Sequence, residues 1–157
     1  MNYLIREIRS EEYGLLEEFL YEAIFIPEGV EAPPKSIIKT PDLQVYIDNF
    51  GKRKDDIGFV TQVDKKIVGA VWVRIMEDYG HIDNATPSFA ISLHKEYRNL
   101  GIGTEMMKKM LSCLRERGYK QTSLAVQKGN YAVKMYKKVG FEIMDENDEE
   151  YIMVCHL

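Results

Sequence analysis

The sequence of 157 residues is poor in cysteine, histidine and proline, and it contains no long apolar run. Its two cysteines, Cys113 and Cys155, form no spaced motif and lie near no histidine cluster with metal-ligand spacing. We expect both to be reduced side chains that pack as small hydrophobic groups, and we expect no metal site. No segment approaches the roughly 20 apolar residues that span a bilayer, and the N-terminus lacks the apolar core of a signal peptide. The sequence therefore predicts a soluble, cytoplasmic protein.

The composition is that of an ordinary globular domain, with 45% hydrophobic and 29% charged residues. The formal net charge is -4, so the molecule as a whole has no attraction for nucleic acid or for an anionic membrane. Neither is expected as a partner. The length fits one domain, residues 1–157, which is large enough to bury a substantial core.

Hydrophobic periodicity alternates between the strand and the helix pattern along the chain. Ser10 is suited to cap the first helix, and Pro27 to end it. The predicted strands lie at 3–8, 57–63, 67–76, 88–93, 121–127, 141–144 and 151–157, and the predicted helices at 10–26, 40–51, 104–117 and 130–138.

The order strand, helix, strand between Ser88 and Gln127 requires a parallel pair of strands with a right-handed crossover. The neighbouring strands on both sides form antiparallel hairpins. The sequence thus predicts an α/β (or α+β) single domain. Its sheet is mixed but mostly antiparallel, with six to seven strands, a central parallel strand-helix-strand unit and flanking helices.

The segment that joins strand 88–93 to helix 104–117 contains two glycines two positions apart, Gly101 and Gly103. Glycines allow a backbone to approach a ligand closely, and N–H groups at a helix start bind anions. A pyrophosphate is the anion that we expect to bind at this loop. The alternative is that the glycines serve only a tight turn between strand and helix.

Two common nucleotide-binding loops are excluded by named positions. A P-loop requires Gly-Lys-Ser/Thr, but Thr104 follows Gly103 directly. A dinucleotide-binding turn requires a third glycine where Met106 stands, and an acidic residue near 120–123, where there is none.

The segment Arg98-Asn99-Leu100-Gly101-Ile102-Gly103 resembles the R/Q-x-x-G-x-G/A signature of the GNAT superfamily of N-acetyltransferases. Downstream, the segment from Asn130 to Phe141 resembles the second signature of that family, N-x-A-x-x-x-Y-x-x-x-G-F. The two segments occur in the family's order, and the predicted elements between them agree with its fold.

The resemblance implies acetyl-coenzyme A as cosubstrate and assigns residues to it. The backbone amides of the loop would hold the pyrophosphate, the backbone of Leu93 would meet the pantetheine arm and the thioester carbonyl, and Asn130 would contact the cosubstrate. The strands ending near Leu93 and Val126 would separate to admit the pantetheine arm. The implied loop residues are Arg98, Asn99, Leu100, Gly101, Ile102, Gly103 and Thr104.

The resemblance also places Tyr136 where the family's general acid stands, to protonate the departing thiolate. The alternative is a packed tyrosine that does not limit the rate. The general base stays unassigned, because strand 88–93 carries no carboxylate and Ser88 stands where a glutamate is first expected. His81 and Asp83 would act only through water, and His94 is expected to face solvent.

The acceptor pocket is expected between the first helix, the loop after it and the central hairpin. Tyr21, Phe25, Trp72 and Arg74 are the candidates for its lining, with core packing as the alternative for each. The predicted activity is transfer of an acetyl group to a primary amine of a small molecule or peptide. Two alternatives stay open: an acetyl-coenzyme A sensor of the same fold, and a binding module in which the loop is only a turn. A homodimer is compatible with the resemblance.

Overall fold

The computed structural model describes residues 2–157, and they contain one seven-stranded sheet. Across the sheet the strand order is β1-β2-β3-β4-β5-β7-β6, and every neighbouring pair is antiparallel except β4 and β5. This confirms the predicted mixed, mostly antiparallel sheet with one parallel pair. The strands are β1 (Leu4–Glu7), β2 (Ile57–Val63), β3 (Lys66–Arg74), β4 (Ser88–Leu93), β5 (Gln121–Gln127), β6 (Phe141–Glu146) and β7 (Glu150–His156).

Four α-helices flank this sheet: α1 (Leu16–Glu22), α2 (Pro41–Gln44), α3 (Ile102–Glu116) and α4 (Ala132–Lys138). Three short segments of 3-10 helix occupy Ser10–Leu15, Lys35–Lys39 and Lys95–Tyr97. No helix within residues 2–157 combines the length and the apolar composition that crossing a bilayer requires.

Several predicted helix boundaries are wrong, among them the cap of the first helical segment and the end of the second helix. Ser10 does not cap the first helical segment: Arg9 does, in an extended conformation, and its N–H donates to the Glu12 carboxylate at 2.9 Å. The helix predicted for residues 40–51 is α-helical only as far as Gln44. Beyond it the chain forms turns and takes left-handed conformations at Asn49 (φ 52) and Gly51 (φ 96), which a continuous α-helix does not allow.

Strand β3 is covered on both faces, which explains why its residues from Val68 to Arg74 are all buried. Val71 and Val73 belong to the core beneath α3, whereas Ala70 and Trp72 belong to the core beneath α1 and the turns that follow it. Alternate side chains of a strand point to opposite faces, so each set serves a different layer.

Strands β4 and β5 separate almost as soon as they meet. Ser88 and Ser123 are the one residue pair aligned between them in the described chain. Beyond that pair the strands run on to Leu93 and Gln127 without a shared register. The resulting V-shaped gap is the feature of the fold that positions the candidate site.

Candidate active site

A cleft of about 600 Å³ lies at the C-terminal end of β4, beyond the point where β4 pairs with β5. The end of α1 and the segment after it form one wall, and the N-terminus of α3 and the first turns of α4 form the other. The cleft brings together most of the residues that the sequence singled out. Its lining includes Tyr21, Phe25, Leu93, Arg98, Asn99, Gly101, Gly103, Thr104, Asn130 and Tyr136.

The N-terminus of α3 presents unbonded N–H groups at this cleft. The first helical hydrogen bond runs from the Glu105 N–H to the Gly101 carbonyl, at 3.3 Å. The N–H groups of Ile102, Gly103 and Thr104 precede it and have no backbone partner among residues 2–157. Together with the dipole of a 15-residue helix, they form a site for an anion.

The loop requires glycine at positions 101 and 103 for different structural reasons. Gly101 caps α3 with φ 84, and a Cβ built there would meet no atom within 4 Å, so the backbone is bare on that side. A Cβ on Gly103 would lie 3.3 Å from Met135 Sδ, so this glycine allows α3 and α4 to pack closely. The side chains of Leu100, which is exposed, and of Ile102, which is buried, do not line the cleft. Their predicted contribution was through the backbone.

The side chain of Arg98 holds the loop in place. Its Nε donates a hydrogen bond of 2.9 Å to the carbonyl oxygen of Leu93, and its Nη2 lies 3.3 Å from Glu22 Oε2 at the end of α1. The sequence had indicated a role only for the backbone N–H of Arg98. The structure adds a guanidinium that joins the loop to β4 and to α1.

The backbone of Leu93 faces the gap. The next residue, His94, donates its N–H to the Val68 carbonyl on the β3 side, at 2.9 Å. Successive N–H groups of a strand point in opposite directions, so the N–H of Leu93 points away from β3, toward the space between β4 and β5. Asn130 lies across the cleft, where its Oδ1 accepts the Ala132 N–H at 2.9 Å at the start of α4.

Tyr136 contributes a phenol to the cleft wall. The residue is only 9% exposed, and its ring packs against Phe141 with 6.0 Å between centroids. Burial, assisted by the nearby Tyr131, raises the pKa of Tyr136 to about 12. The phenol is therefore neutral at physiological pH and able to donate a proton.

Trp72 and Arg74 lie outside the cleft, so the prediction that they line the acceptor pocket is wrong. Both are fully buried. Trp72 Nε1 donates to the Tyr46 carbonyl at 3.0 Å, and Arg74 Nη2 lies 3.0 Å from Asp56 Oδ2. The chain between residues 45 and 56 covers this face of β3, which makes both side chains part of the core.

Two of the side chains considered as proton acceptors have other partners. His94 does not face solvent as expected: its ring packs on Phe19 and its Nε2 lies 2.9 Å from Glu18 Oε2. Asp83 accepts the Ala85 N–H at 2.9 Å and the Thr86 hydroxyl at 2.8 Å, which closes a surface turn. These hydrogen bonds lower the pKa of Asp83, the Thr86 bond most of all.

A carboxylate that the sequence analysis missed lies beside Ser88. Ser88 Oγ donates to Asp78 Oδ1 at 3.0 Å, and Tyr46 Oη donates to Asp78 Oδ2 at 3.1 Å. His81, in the same turn, has a buried Nδ1 without a hydrogen-bond partner among the described residues. Only the acidic character of the connection between β3 and β4 signalled Asp78, since no spacing rule links it to Ser88.

Comparison with known proteins identifies the family to which this chain belongs. The family model described as "Acetyltransferase (GNAT) family" matches residues 7–141, which is most of the chain. This chain belongs to the GNAT acetyltransferase family. Membership confirms the predicted N-acetyltransferase and its cosubstrate, acetyl-coenzyme A. Among residues 2–157 of this GNAT protein, no group of three or more His, Cys, Asp or Glu side chains is placed to hold a metal ion.

Solved GNAT structures share the fold along nearly the whole chain. The PaiA N-acetyltransferase of Thermoplasma acidophilum, in complex with coenzyme A, is 19% identical with a TM-score of 0.74, and 100% of each chain is covered. The ribosomal-protein-S18-alanine N-acetyltransferase of Escherichia coli is 14% identical with a TM-score of 0.68, covering 99% of this chain and 94% of its own. A candidate streptothricin acetyltransferase of Bacillus anthracis, in complex with acetyl coenzyme A, is 20% identical with a TM-score of 0.67, covering 100% and 99%.

Proposed function

We propose that this chain transfers the acetyl group of acetyl-coenzyme A to a primary amine of a small molecule or a peptide. The observation that carries the proposal is the cleft at the end of β4, which has an anion site at the α3 N-terminus and a neutral phenol in its wall. The anion site suits the pyrophosphate of coenzyme A. The phenol of Tyr136 suits a departing sulfur that needs a proton.

Different residues around the cleft would bind different parts of the cosubstrate. The N–H groups between Arg98 and Thr104 would bind the pyrophosphate. The N–H of Leu93 would bind the pantetheine arm or the thioester carbonyl, because it points into the gap and a donor there stabilises negative charge on the carbonyl oxygen. Asn130 would contact the cosubstrate from the start of α4. The bound cosubstrate supplies an activated acetyl thioester.

The reaction requires proton transfer at both nitrogen and sulfur. The amine nitrogen forms a bond to the acetyl carbon while the bond from that carbon to sulfur breaks, so the nitrogen must lose a proton and the sulfur must gain one. Tyr136 would give the proton to sulfur, and solvent would restore it afterwards. A free alkylamine has a pKa of about 10.4 and arrives as an ammonium, so its nitrogen must lose a further proton before it attacks.

Substitution of Gly101 tests the anion site with two variants that share the strain of a side chain at φ 84. Gly101→Asp retains a residue type that tolerates the left-handed conformation and the N-cap position, but it places a negative charge where the pyrophosphate would bind. Gly101→Asn has the same size without the charge and serves as the matched control. Calorimetry should show that Gly101→Asp binds acetyl-coenzyme A about tenfold or more weakly than Gly101→Asn does. Equal affinities of the two variants would refute the assignment of the loop.

A panel of amines tests the transfer itself. Release of the coenzyme A thiol is measured with a monoamine, a diamine, a triamine, and peptides with a free N-terminus or a single lysine. We expect acceptor-dependent, saturable release with at least one class. Saturable binding of acetyl-coenzyme A without any acceptor-dependent release would favour the sensor instead. Asp78 beside Ser88 argues for the enzyme, because the sensor hypothesis rested on the missing carboxylate of β4.

The proposed activity also implies a domain extent, a compartment and a class of second substrate. Residues 1–157 form one acetyltransferase domain that acts in the cytoplasm. Its second substrate is an amine rather than a nucleic acid or a membrane, and assembly into a homodimer is compatible with this activity. Size-exclusion chromatography with light scattering measures the oligomeric state directly.

A further inference from the structure

The connection between β3 and β4 brings a carboxylate to the first residue of β4. Asp78 accepts two hydrogen bonds there, one on each oxygen: from Ser88 Oγ at 3.0 Å and from Tyr46 Oη at 3.1 Å. Ser88 is 1% exposed, so its hydroxyl is fixed within the fold, and Tyr46 approaches from the turns after α2. The two donors come from different parts of the chain and hold one carboxylate in a defined orientation.

This carboxylate lies at the apex of the gap between β4 and β5. Ser88 and Ser123 form the one aligned pair of these strands within residues 2–157. Gly80, two residues after Asp78, accepts a hydrogen bond of 2.7 Å from Ser123 Oγ on its carbonyl oxygen. A Cβ on Gly80 would lie 3.2 Å from the Ala125 nitrogen, so the turn that carries Asp78 packs on β5 just beyond the apex.

The apex and the cleft lie on the same strand. Ile91, which lines the cleft, is three residues after Ser88, a distance of roughly 10 Å along an extended strand. Alternation places Ser88 on the face of the sheet toward α1, together with Ser92, whose hydroxyl donates to the Phe19 carbonyl at 2.6 Å. Tyr136 packs in the core on the opposite, α3 side. The gap thus has a carboxylate on one face of the sheet and a phenol on the other.

We propose that Asp78 accepts the proton of the acceptor amine, and that Ser88 and Tyr46 position its carboxylate. This inference rests on the proposed function and adds the group that β4 itself lacks. A protonated amine first gives one proton to Asp78, which passes it to solvent. As the bond between nitrogen and the acetyl carbon forms and the bond between carbon and sulfur breaks, a second proton passes from nitrogen to Asp78, and the proton of Tyr136 passes to sulfur. Solvent then removes the proton from Asp78 and returns one to Tyr136, so that an ammonium and a thioester give an amide, a thiol and one released proton.

The charged groups around Asp78 suit a cationic amine. Burial and the negative charge of Asp78 raise the pKa of Tyr46 far above its ordinary value, so this phenol stays a hydrogen-bond donor. Burial, Glu149 and Asp78 also raise the pKa of Glu150, whose strand β7 pairs with β5. The other titratable groups on the connection between β3 and β4 are Glu77, Tyr79, His81 and Asp83. The local field is therefore negative, which draws a protonated amine toward Asp78.

Asp78→Asn tests the assignment with Glu77→Gln as the matched control. Glu77 is the exposed neighbour on the same connection, and its removal also takes away one negative charge. With saturating acetyl-coenzyme A and the best acceptor of the amine panel, we expect Asp78→Asn to lower kcat by about 100-fold. Its dissociation constant for acetyl-coenzyme A, measured by calorimetry, should stay within about twofold of the wild type. Glu77→Gln should match the wild type in both.

The two positioning residues have a separate signature in double variants. Each donates a hydrogen bond that fixes one oxygen of the Asp78 carboxylate. Ser88→Ala and Tyr46→Phe should therefore each lower kcat by about tenfold, less than Asp78→Asn does, and leave the affinity for acetyl-coenzyme A unchanged. Neither change should lower kcat further when combined with Asp78→Asn, because all three act through one group. A purely structural role would lower kcat in the Asp78→Asn background as well.

The outcomes separate this inference from the proposed function. If the wild type acetylates no amine of the panel, both are overturned. If the wild type is active and Asp78→Asn retains more than about half of kcat, only the assignment of Asp78 is overturned. Should Asp78→Asn fail to fold, Ser88→Ala and Tyr46→Phe decide: kcat within about twofold of the wild type in both variants overturns the assignment, and a lower kcat with unchanged affinity for acetyl-coenzyme A supports it.

Discussion

The Nε atom of Arg98 lies 2.9 Å from the carbonyl oxygen of Leu93 and donates a hydrogen bond to it. The contact joins the end of β4 to the first residue of the anion-binding loop, and the same guanidinium reaches Glu22 at the end of α1. The shape of the loop therefore depends on a side chain. A loop that binds through backbone N–H groups gains affinity when its conformation is set before the ligand arrives.

Arg98→Met should weaken binding of acetyl-coenzyme A by about tenfold, because it removes the donors that brace the loop while retaining the length of the side chain. Arg98→Lys retains the charge and a single donor group. Its affinity for acetyl-coenzyme A should therefore lie between those of Arg98→Met and the wild type. Calorimetry measures both. Lys108→Met removes a surface cation of α3 outside the cleft and should bind as the wild type does. Unaltered affinity of Arg98→Met would mean that the loop holds its shape without the guanidinium.

Tyr136→Phe should lower kcat by about 10- to 100-fold and leave affinity for acetyl-coenzyme A nearly unchanged. The buried phenol has a pKa of about 12, so it stays protonated, and the loss should be constant between about pH 6 and pH 9. Steady-state kinetics across this range measure the effect. Tyr3→Phe, beside the edge strand β1, controls for the loss of a phenol elsewhere. A rate equal to that of the wild type would reduce Tyr136 to a packing residue.

Arg74→Ala should destabilise the protein by about 3–5 kcal/mol, because it leaves the fully buried Asp56 carboxylate without its partner. Urea unfolding measures the free energy. The double variant Arg74→Met with Asp56→Leu removes both charges and should recover most of the loss. If Arg74→Ala is as stable as the wild type but has an altered KM for the amine, the sequence-based placement of Arg74 in the acceptor pocket would be restored.

The ion pair between Glu12 and Arg6 should make the free energy of unfolding depend on pH. Two hydrogen bonds from Arg6, of 2.9 and 2.7 Å, lower the pKa of Glu12 from its ordinary value of 4.5 to about 2. A pKa that is lower in the folded state stabilises the fold above the unfolded pKa, and this stabilisation is lost as pH falls from about 4.5 through 2. Glu12→Gln should cost about 1 kcal/mol at pH 7 and almost nothing at pH 2. Urea midpoints at the two pH values provide the test, and an equal difference at both would contradict it.

The sequence alone determined those parts of the fold and site that are local. It predicted β4 as residues 88–93 and β5 as residues 121–127, the bounds the structure has, because short apolar runs flanked by turn residues define strands locally. The cleft-lining glycines of the 98–104 loop followed from a spacing rule, and Tyr136 from the resemblance of the segment around it to a family signature. Both features depend on residues that are close along the chain.

Tertiary structure alone decided what Trp72, Arg74 and Asp78 do. On β3 both faces are buried, so alternation does not reveal which face meets a cleft and which meets a second layer. The layer over Trp72 and Arg74 comes from residues 45–56, and irregular turns have no periodicity that places them. Asp78 meets Ser88 and Tyr46 from 10 and 32 residues away. Contacts of that range depend on how loops close over the sheet, and loop closure is set by packing in three dimensions rather than by any local pattern.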